Sequence, residues 1–163
     1  MIVRKDKHCY HYEGFKMFQI EENSSTITFR VSSEMQMIEG ILRKTNLFLL
    51  KHDVTESPVL TMVLRELLKN AIQHGNKNES HQIVTCCIQL QDKMQVKIMV
   101  EDNGDGFSHK NIDTRQYLDP KNHNPCGYLL IHAFSDRVEF NDKGNRVTIF
   151  ITIPKESVRS LLR

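Results

Sequence analysis

From Gln82 to Gln91 the apolar residues Val84, Cys86, Ile88 and Leu90 fall at every second position, and the same alternation returns at Met94, Val96, Ile98 and Val100. A period of two places each set on one face of a strand, so these runs predict an antiparallel hairpin turning at Asp92-Lys93, with one face buried under helices. The β-branched alternation from Thr26 to Val31 predicts an earlier strand, and Arg137 to Asn141 with Arg146 to Ile153 predicts a second hairpin across Asp142-Lys143-Gly144-Asn145. Elsewhere the period lengthens. Met37, Ile38, Ile41, Leu42 and Leu49 predict a helix ending near His52, preceded by Ser33 and Gln36 at capping-box spacing. Ser57-Pro58 offers an N-cap and a first-turn proline for a second helix, which should run to Gly75 as a left-handed stop.

Tyr128 to Phe134 predicts a short helix, and the tail from Pro154 a last helical turn. Residues 1–24 show no clear period, although Phe15, Met17 and Phe18 suit a short edge strand. Residues 102–126 are polar and rich in turn formers, and irregular stretches of that length in compact domains are usually functional. No internal repeat or low-complexity linker divides the chain.

Composition narrows the class. With 163 residues, 39% hydrophobic and 26% charged, the chain fits one soluble domain with a single core. A formal charge of +2 supplies no dominant field for nucleic acid, so Arg4, Lys5 and Lys7 read as a solvated tail. No run approaches the roughly 20 apolar residues of a membrane span, and the first residues lack the apolar segment of a secretory signal; the expected location is cytoplasmic. Cys9, Cys86, Cys87 and Cys126 show no CxxC spacing and are expected as reduced thiols. Cys9 lies between His8 and His11 but lacks the second ligand pair of a metal site, so a polar arm is the simpler reading.

The second predicted helix carries more than an apolar stripe. Glu66, Asn70 and His74 stand at i, i+4 and i+8, which puts them on one helical face. Leu64, Leu67, Leu68, Ala71 and Ile72 explain the amphipathic pattern but not this polar line; a solvated face would explain each polar residue singly. Glu101-Asp102-Asn103-Gly104-Asp105-Gly106-Phe107 follows a buried-strand pattern, and its glycines permit a sharp turn and close backbone approach to a ligand. A carboxylate at that strand end can accept a hydrogen bond from an exocyclic amine. The segment lacks the terminal glutamate and ligand spacing of a calcium loop.

The helix Glu66 to Gly75 resembles the N box, and Asp102 to Phe107 the first glycine box, of the GHKL (Bergerat-fold) ATPases. The wording Glu-Leu-Leu-Lys-Asn-Ala-Ile-Gln-His-Gly, with Leu129-Leu130-Ile131, Asp136 to Phe140 and Gly144-Asn145-Arg146-Val147, is similar to the bacterial anti-sigma-factor serine/threonine kinase branch. The likeness covers about residues 26–153. It implies an α+β fold, a two-layer α/β sandwich with a mixed or mainly antiparallel sheet, in which residues 25–154 form the ATP-binding domain between an arm or edge strand (1–24) and a tail (155–163). By motif position it implies that Asn70 coordinates Mg²⁺ on the phosphates and that Glu66 orients or deprotonates an attacking hydroxyl. Asp102 would read the adenine amine, Gly104 and Gly106 would let the loop pass the base and ribose, and the segment up to Gly127 would form a lid. His74 would border the nucleotide or sit as a satisfied core histidine.

One departure from that family bears on activity. Where its second glycine box reads Gly-x-Gly, this chain has Pro125-Cys126-Gly127. Proline removes an N–H that could hold a phosphate oxygen, which implies a stiffer lid and a weaker grip; Lys121 or His123 compensates only if the lid folds it inward. Phosphorylation of a small antagonist protein in a sigma-factor partner switch therefore stands beside a nucleotide-dependent binding module with little kinase activity. A detached histidine-kinase-like ATPase domain is a third reading. Met35 and Phe48 would serve a homodimer or the core.

Overall fold

The computed structural model describes residues 6–12, 16–91, 94–108 and 125–153. The strands are β1 (Asp6–Tyr12), β2 (Lys16–Glu22), β3 (Thr26–Ser32), β4 (Ile83–Leu90), β5 (Gln95–Glu101), β6 (Arg137–Phe140) and β7 (Arg146–Thr152). They form one seven-stranded sheet in the order β1-β2-β3-β4-β5-β7-β6, every neighbouring pair antiparallel. The period-two pattern sets the register: Ile27, Ile88, Ile98 and Ile149 pair in one row across β3, β4, β5 and β7. None of the four is more than 1% exposed. A slip of one residue in any strand would turn its apolar set out of this row, so burial itself holds the alignment.

Among the described residues helices cover that face alone. Over it lie α1 (Met37–Lys51), which packs on β3, and α2 (Pro58–Asn70), which packs on β5; α3 (Pro125–Phe134) lies beside α2 and reaches β6. The α1 stripe of Ile38, Ile41, Leu42, Phe48 and Leu49 and the α2 stripe of Leu60, Val63, Leu64, Leu67 and Leu68 are buried. The opposite sheet face keeps Arg30 exposed and Thr28, Cys87, Lys97 and Met99 partly so; Phe150 there is shielded by the Arg137 guanidinium, 3.9 Å from its ring centre. The result is the expected α+β two-layer sandwich, with a wholly antiparallel sheet among the described residues.

Several elements differ from expectation. Instead of a single edge strand, β1 and β2 extend the sheet as a hairpin, with Phe18 opposite Val31 and Ile20 opposite Phe29. The polar composition of β1 hides it, because an edge strand is held by its ladder more than by an apolar face. Phe48 is core at 1% exposure, while Met35 is 39% exposed and precedes α1. The apolar residues that α1 itself turns outward are Leu47 and Leu50. Arg4, Lys5, Phe15, the Asp92-Lys93 turn, Lys121, His123 and the tail from Pro154 lie outside the described residues, as do the side chains of His8, Cys9, His11 and Cys126.

The two helix starts diverge as well. Ser57 caps α2 as predicted, its Oγ accepting from the Leu60 N–H at 3.2 Å with Pro58 in the first turn. The capping box of α1 does not form. Ser33 still belongs to the sheet side, donating its N–H to the Gln82 carbonyl at 3.0 Å, and its buried Oγ has no hydrogen-bond partner among the described residues. Gln36 occupies the N-cap without a side-chain capping bond, its amide donating instead to the Glu34 carboxylate, and α1 begins from a tight turn in which Met37 N–H donates to Glu34 O at 3.0 Å.

These starts give opposite expectations. Ser57→Ala should lower unfolding free energy by about 1 kcal/mol, the usual loss of an N-cap. Ser33→Ala should leave stability unchanged or raise it, since it deletes a buried hydroxyl with no hydrogen bond. Urea denaturation of both variants checks this; a loss of about 1 kcal/mol in Ser33→Ala would restore the capping box.

Candidate functional site

The end of α2 meets the end of β5 at a distance only glycine permits. After Asn70 the helix widens into a π-helical turn, Ala71–Gly75, closed by the Asn76 N–H donating to Ala71 O at 2.8 Å. Gly75 is not the expected left-handed stop; Lys77 and Asn78 take positive φ instead, at 53° and 60°. What Gly75 provides is space, since a Cβ there would lie 2.3 Å from the Asp102 carboxylate. Likewise a Cβ on Gly104 would lie 2.1 Å from the Gly75 carbonyl oxygen.

A second crossing lies beside the first. Gly106, at φ 79°, passes the β6–β7 turn so closely that a Cβ would stand 1.9 Å from Lys143 O. Gly144, at φ 77°, returns the contact against Phe107 O at 2.1 Å. Protein backbone thus accounts for the glycine requirement at both 104 and 106, with Gly106 also lining the cavity described below.

Asparagines bind these crossings together. Asn145 donates its Nδ2 to Asp102 O at 2.7 Å, and its own carbonyl accepts the Asp102 N–H at 3.0 Å. Asn141 Nδ2 donates to Asn145 Oδ1 at 2.9 Å, while Asn141 Oδ1 accepts the N–H of Gly144. On the other side, Asn76 Oδ1 accepts the Asn103 N–H at 2.8 Å, and Asn103 Oδ1 accepts from Ile83 N at 3.0 Å. Asn76 is buried at 3% exposure and Asn145 at 9%. Sequence reading gave no role to Asn76 or Asn141, quoted Asn103 only within the Glu101–Phe107 motif and took Asn145 only as a turn residue and part of the Gly144-Asn145-Arg146-Val147 likeness; their one structural signal is position, just after a helix, just after Asp102 and at the two ends of the β6–β7 turn.

The network fixes the Asp102 backbone and leaves its carboxylate at the cavity, with Oδ1 accepting the Gly104 N–H at 2.8 Å. Burial pushes the Asp102 pKa above the usual aspartate value, and the neighbouring Glu101 charge adds to this. The Gly104 N–H and the Lys143 ammonium pull the other way.

A cavity of about 550 Å³ opens between the helices and these loops, lined by Asn70, His74, Asp102, Gly106, Phe107 and Tyr128 among others. That volume suits a ligand of nucleotide size. Leu67, Val100, Ile131 and Val147 supply apolar wall, and Phe107 meets Phe140 edge to face at 5.3 Å. His74 is exposed at the cavity, which removes the core-histidine alternative.

Glu66 lies just beyond this lining, one helical turn before Asn70. Both its carboxylate oxygens stand 3.2 Å from Lys69 Nζ, and Oε2 lies 2.8 Å from where a Cβ on Gly127 would be. The predicted face therefore brings Glu66 and Asn70 together beneath Gly127, while the π turn relaxes the spacing before His74. Gly127 is the third residue of α3, which begins at Pro125 and not at Tyr128. In a first turn the missing proline N–H breaks no helical bond, so Pro125 starts a helix where sequence reading had a stiffened lid. Among the described residues no group of three or more His, Cys, Asp and Glu side chains could hold a metal. A Mg²⁺ carried by phosphates would fit without one, taking a single amide oxygen and water.

Two glycines separate the structural demand of the site from that of an ordinary helix. Gly40→Ala should stabilise by about 0.5–1 kcal/mol, because its Cβ meets only the Phe18 ring at 3.5 Å in ordinary contact. Gly75→Ala should destabilise by more than about 1 kcal/mol, since the Asp102 carboxylate must move. Thermal and denaturant unfolding of the pair checks the contrast; equal effects would mean that the α2–β5 contact is looser than described.

The profile of the histidine kinase-like ATPase domain matches residues 32–151, from the end of β3 into β7 and across every loop of the site. No curated protein matches the chain significantly. No helix among the described residues is long and apolar enough to cross a membrane. With well over half of its length matched, the strands from β4 onward, the three helices and the site loops included, the chain belongs to the histidine kinase-like ATPase domain family, of the GHKL type.

Proposed function

We propose that this chain binds ATP or ADP with Mg²⁺ in the cavity between α2 and the β5 loop, and that it is a regulatory serine/threonine kinase of the anti-sigma type acting slowly on a small antagonist protein. The observation that carries the nucleotide reading is the Asp102 carboxylate, clamped through its backbone by Asn145 and facing a cavity that it shares with Asn70. An acceptor so fixed reads an exocyclic amine without reorganising, as a base-recognition group should. Phe107, Val100 and Ile131 give an aromatic base its apolar surroundings. The amide oxygen of Asn70, between that region and the start of α3, would take one position on the metal, and the free N–H groups of Cys126 and Gly127 would face phosphate oxygens.

For transfer, Glu66 would orient or accept the proton of a serine or threonine hydroxyl. Its bond to Lys69 opposes that role, because a carboxylate engaged at both oxygens is a poorer acceptor. This pair and the donor missing at Pro125 favour a second reading, a nucleotide-dependent binding module that holds its target without phosphorylating it. Under either reading the expected partners are a small antagonist protein and a sigma factor.

Asp102→Asn should weaken ATP and ADP about 10- to 150-fold, the range of one charge-assisted hydrogen bond, by calorimetry. A carboxylate with a raised folded pKa contributes to stability below its unfolded pKa, and that contribution is lost as pH rises through the folded value. At neutral pH the Asn variant should therefore be no less stable than the parent. Parental affinity should fall as pH drops into the mildly acidic range, because Asp102 takes up its proton before an ordinary aspartate would, and Asp102→Asn should show a flatter profile. Equal affinity of parent and variant would remove Asp102 from base recognition.

Kinase activity is read with labelled ATP and candidate antagonists. The parent should transfer phosphate slowly, Glu66→Gln should abolish transfer with little change in nucleotide affinity, and Pro125→Gly should accelerate it by restoring a donor whose loss elsewhere slows chemistry about 100- to 1000-fold. Rapid stoichiometric transfer by the parent would show that the proline matters little. No transfer by any variant, with target binding that responds to nucleotide, would select the binding module.

A further inference from the structure

Glu66 and Lys69 sit three residues apart on α2, an ordinary spacing for a helix-stabilising ion pair. Their geometry is less ordinary. The Lys69 Nζ stands 3.2 Å from each Glu66 oxygen, longer than the charge-assisted bonds such a pair makes when it closes on one acceptor. The ammonium straddles the carboxylate and is tied tightly to neither oxygen. Both side chains keep contact with solvent, 34% exposed for Lys69 and 20% for Glu66, so the pair is worth little and opens cheaply.

Its location gives the looseness a use. Glu66 lies against Gly127, in the first turn of α3, and Asn70, the residue after Lys69, lines the cavity. The first turn of a helix attracts anions through its free N–H groups, and here Pro125 removes one of them. Other cations near the cavity are disposed differently. Arg146 is bonded to Glu101 at 3.0 Å, Lys143 faces the Asp102 carboxylate at the other end of the cavity, Lys77 follows the π turn at the opposite end of the Asn70–Gly75 segment, and Arg65 is paired with Glu39 on α1. Among the described residues Lys69 is the cation placed beside the α2–α3 junction, on a stem long enough to turn from Glu66 to an anion under α3.

Resting on the nucleotide reading above, we propose that Lys69 is a phosphate-binding residue: the ammonium that straddles Glu66 in this structure moves to the terminal phosphate oxygens of a bound nucleoside polyphosphate. The move supplies a charged donor where Pro125 withholds a backbone one, and it frees Glu66 to meet a hydroxyl. A polyphosphate outcompetes a single carboxylate for the ammonium because it carries more charge, so the exchange runs with binding. Lys69 thus couples occupancy of the phosphate end to exposure of Glu66.

The test compares adenosine, ADP and ATP, the nucleotides with Mg²⁺, by calorimetry on the full chain, its Lys69→Met and Lys69→Arg variants, and the same changes in a Glu66→Gln background. Lys69→Met should leave adenosine affinity unchanged and weaken ATP about tenfold or more, with ADP between and Lys69→Arg retaining most of the affinity. The ATP loss should be as large in Glu66→Gln, because the lysine acts on phosphate and not through the carboxylate. Equal loss for adenosine and ATP, or a loss that vanishes in Glu66→Gln, would overturn the proposal and leave Lys69 as a helix ion pair. If the parent binds ATP and Lys69→Met loses nothing, the proposal alone fails. If the parent binds neither adenosine nor ATP, the nucleotide reading fails and takes this inference with it.

Discussion

The contact on which the site depends is the backbone approach of Gly75 to Gly104, with the Asp102 carboxylate held against both. A Cβ at either glycine would collide with a carbonyl or carboxylate, so α2 reaches the end of β5 only because neither residue has one. Everything that surrounds the carboxylate follows from that approach. The π turn carries the chain past Asn70 to the contact point, and Lys77 and Asn78 then reverse it through two left-handed residues toward β4. Left-handed backbone in two consecutive side-chain-bearing residues costs energy, and it persists because Asn76 ties the segment to Ile83 and Asn103 on the sheet.

Such a contact is unfavourable for Asp102 taken alone. Burial raises the free energy of its charged form, and a single N–H from Gly104 only partly offsets this. A fold selected for stability alone would place a neutral side chain here; the proposed nucleotide reading would account for the charge, since an incompletely satisfied carboxylate retains its capacity to bind an incoming donor. The asparagine network serves the same end from behind. It satisfies the backbone of residues 102 and 103 through Asn145 and Asn76, so the carboxylate is left with the Gly104 N–H as its hydrogen bond within the described loop.

The strands, helices and hairpins of the core were legible because their burial is one-sided, and one-sided burial writes itself as period. The Ile88 and Ile98 strands and the leucines of α2 show this, and so does the cap at Ser57, where a local hydrogen bond decides the helix start. Other features follow from partners far along the chain, which no local pattern records. Ser33 has the spacing of a cap but is held by Gln82, and Phe48 was left between core and surface until the packing of α1 on β3 buried it. β1 is polar because an edge strand needs little apolar face, and the π turn has no signature beyond the helix it extends. In the site, Asp102, Asn70, His74 and Glu66 stood out by spacing, whereas Asn76, Asn141 and Asn145 act through bonds whose partners only the fold assembles.

The two ends of the cavity are built from opposite materials. At the Asp102 end, crossing backbones, glycines without space for a methyl and bidentate asparagines leave one arrangement, which suits recognition of a rigid, planar group. At the α2–α3 end, the functional side chains are long, partly exposed and joined by a loose pair, and the helix above them begins with a residue lacking a donor. On the proposed reading rigid recognition would set which ligand enters, because any mismatch there leaves Asp102 buried without compensation. An adaptable end would, on the same reading, set what happens to the ligand's charge, because a lysine on a flexible stem can follow a phosphate at little expense in structure. Affinity for the base and competence for transfer are therefore separable on the proposed reading, and each should respond to changes at its own end of α2.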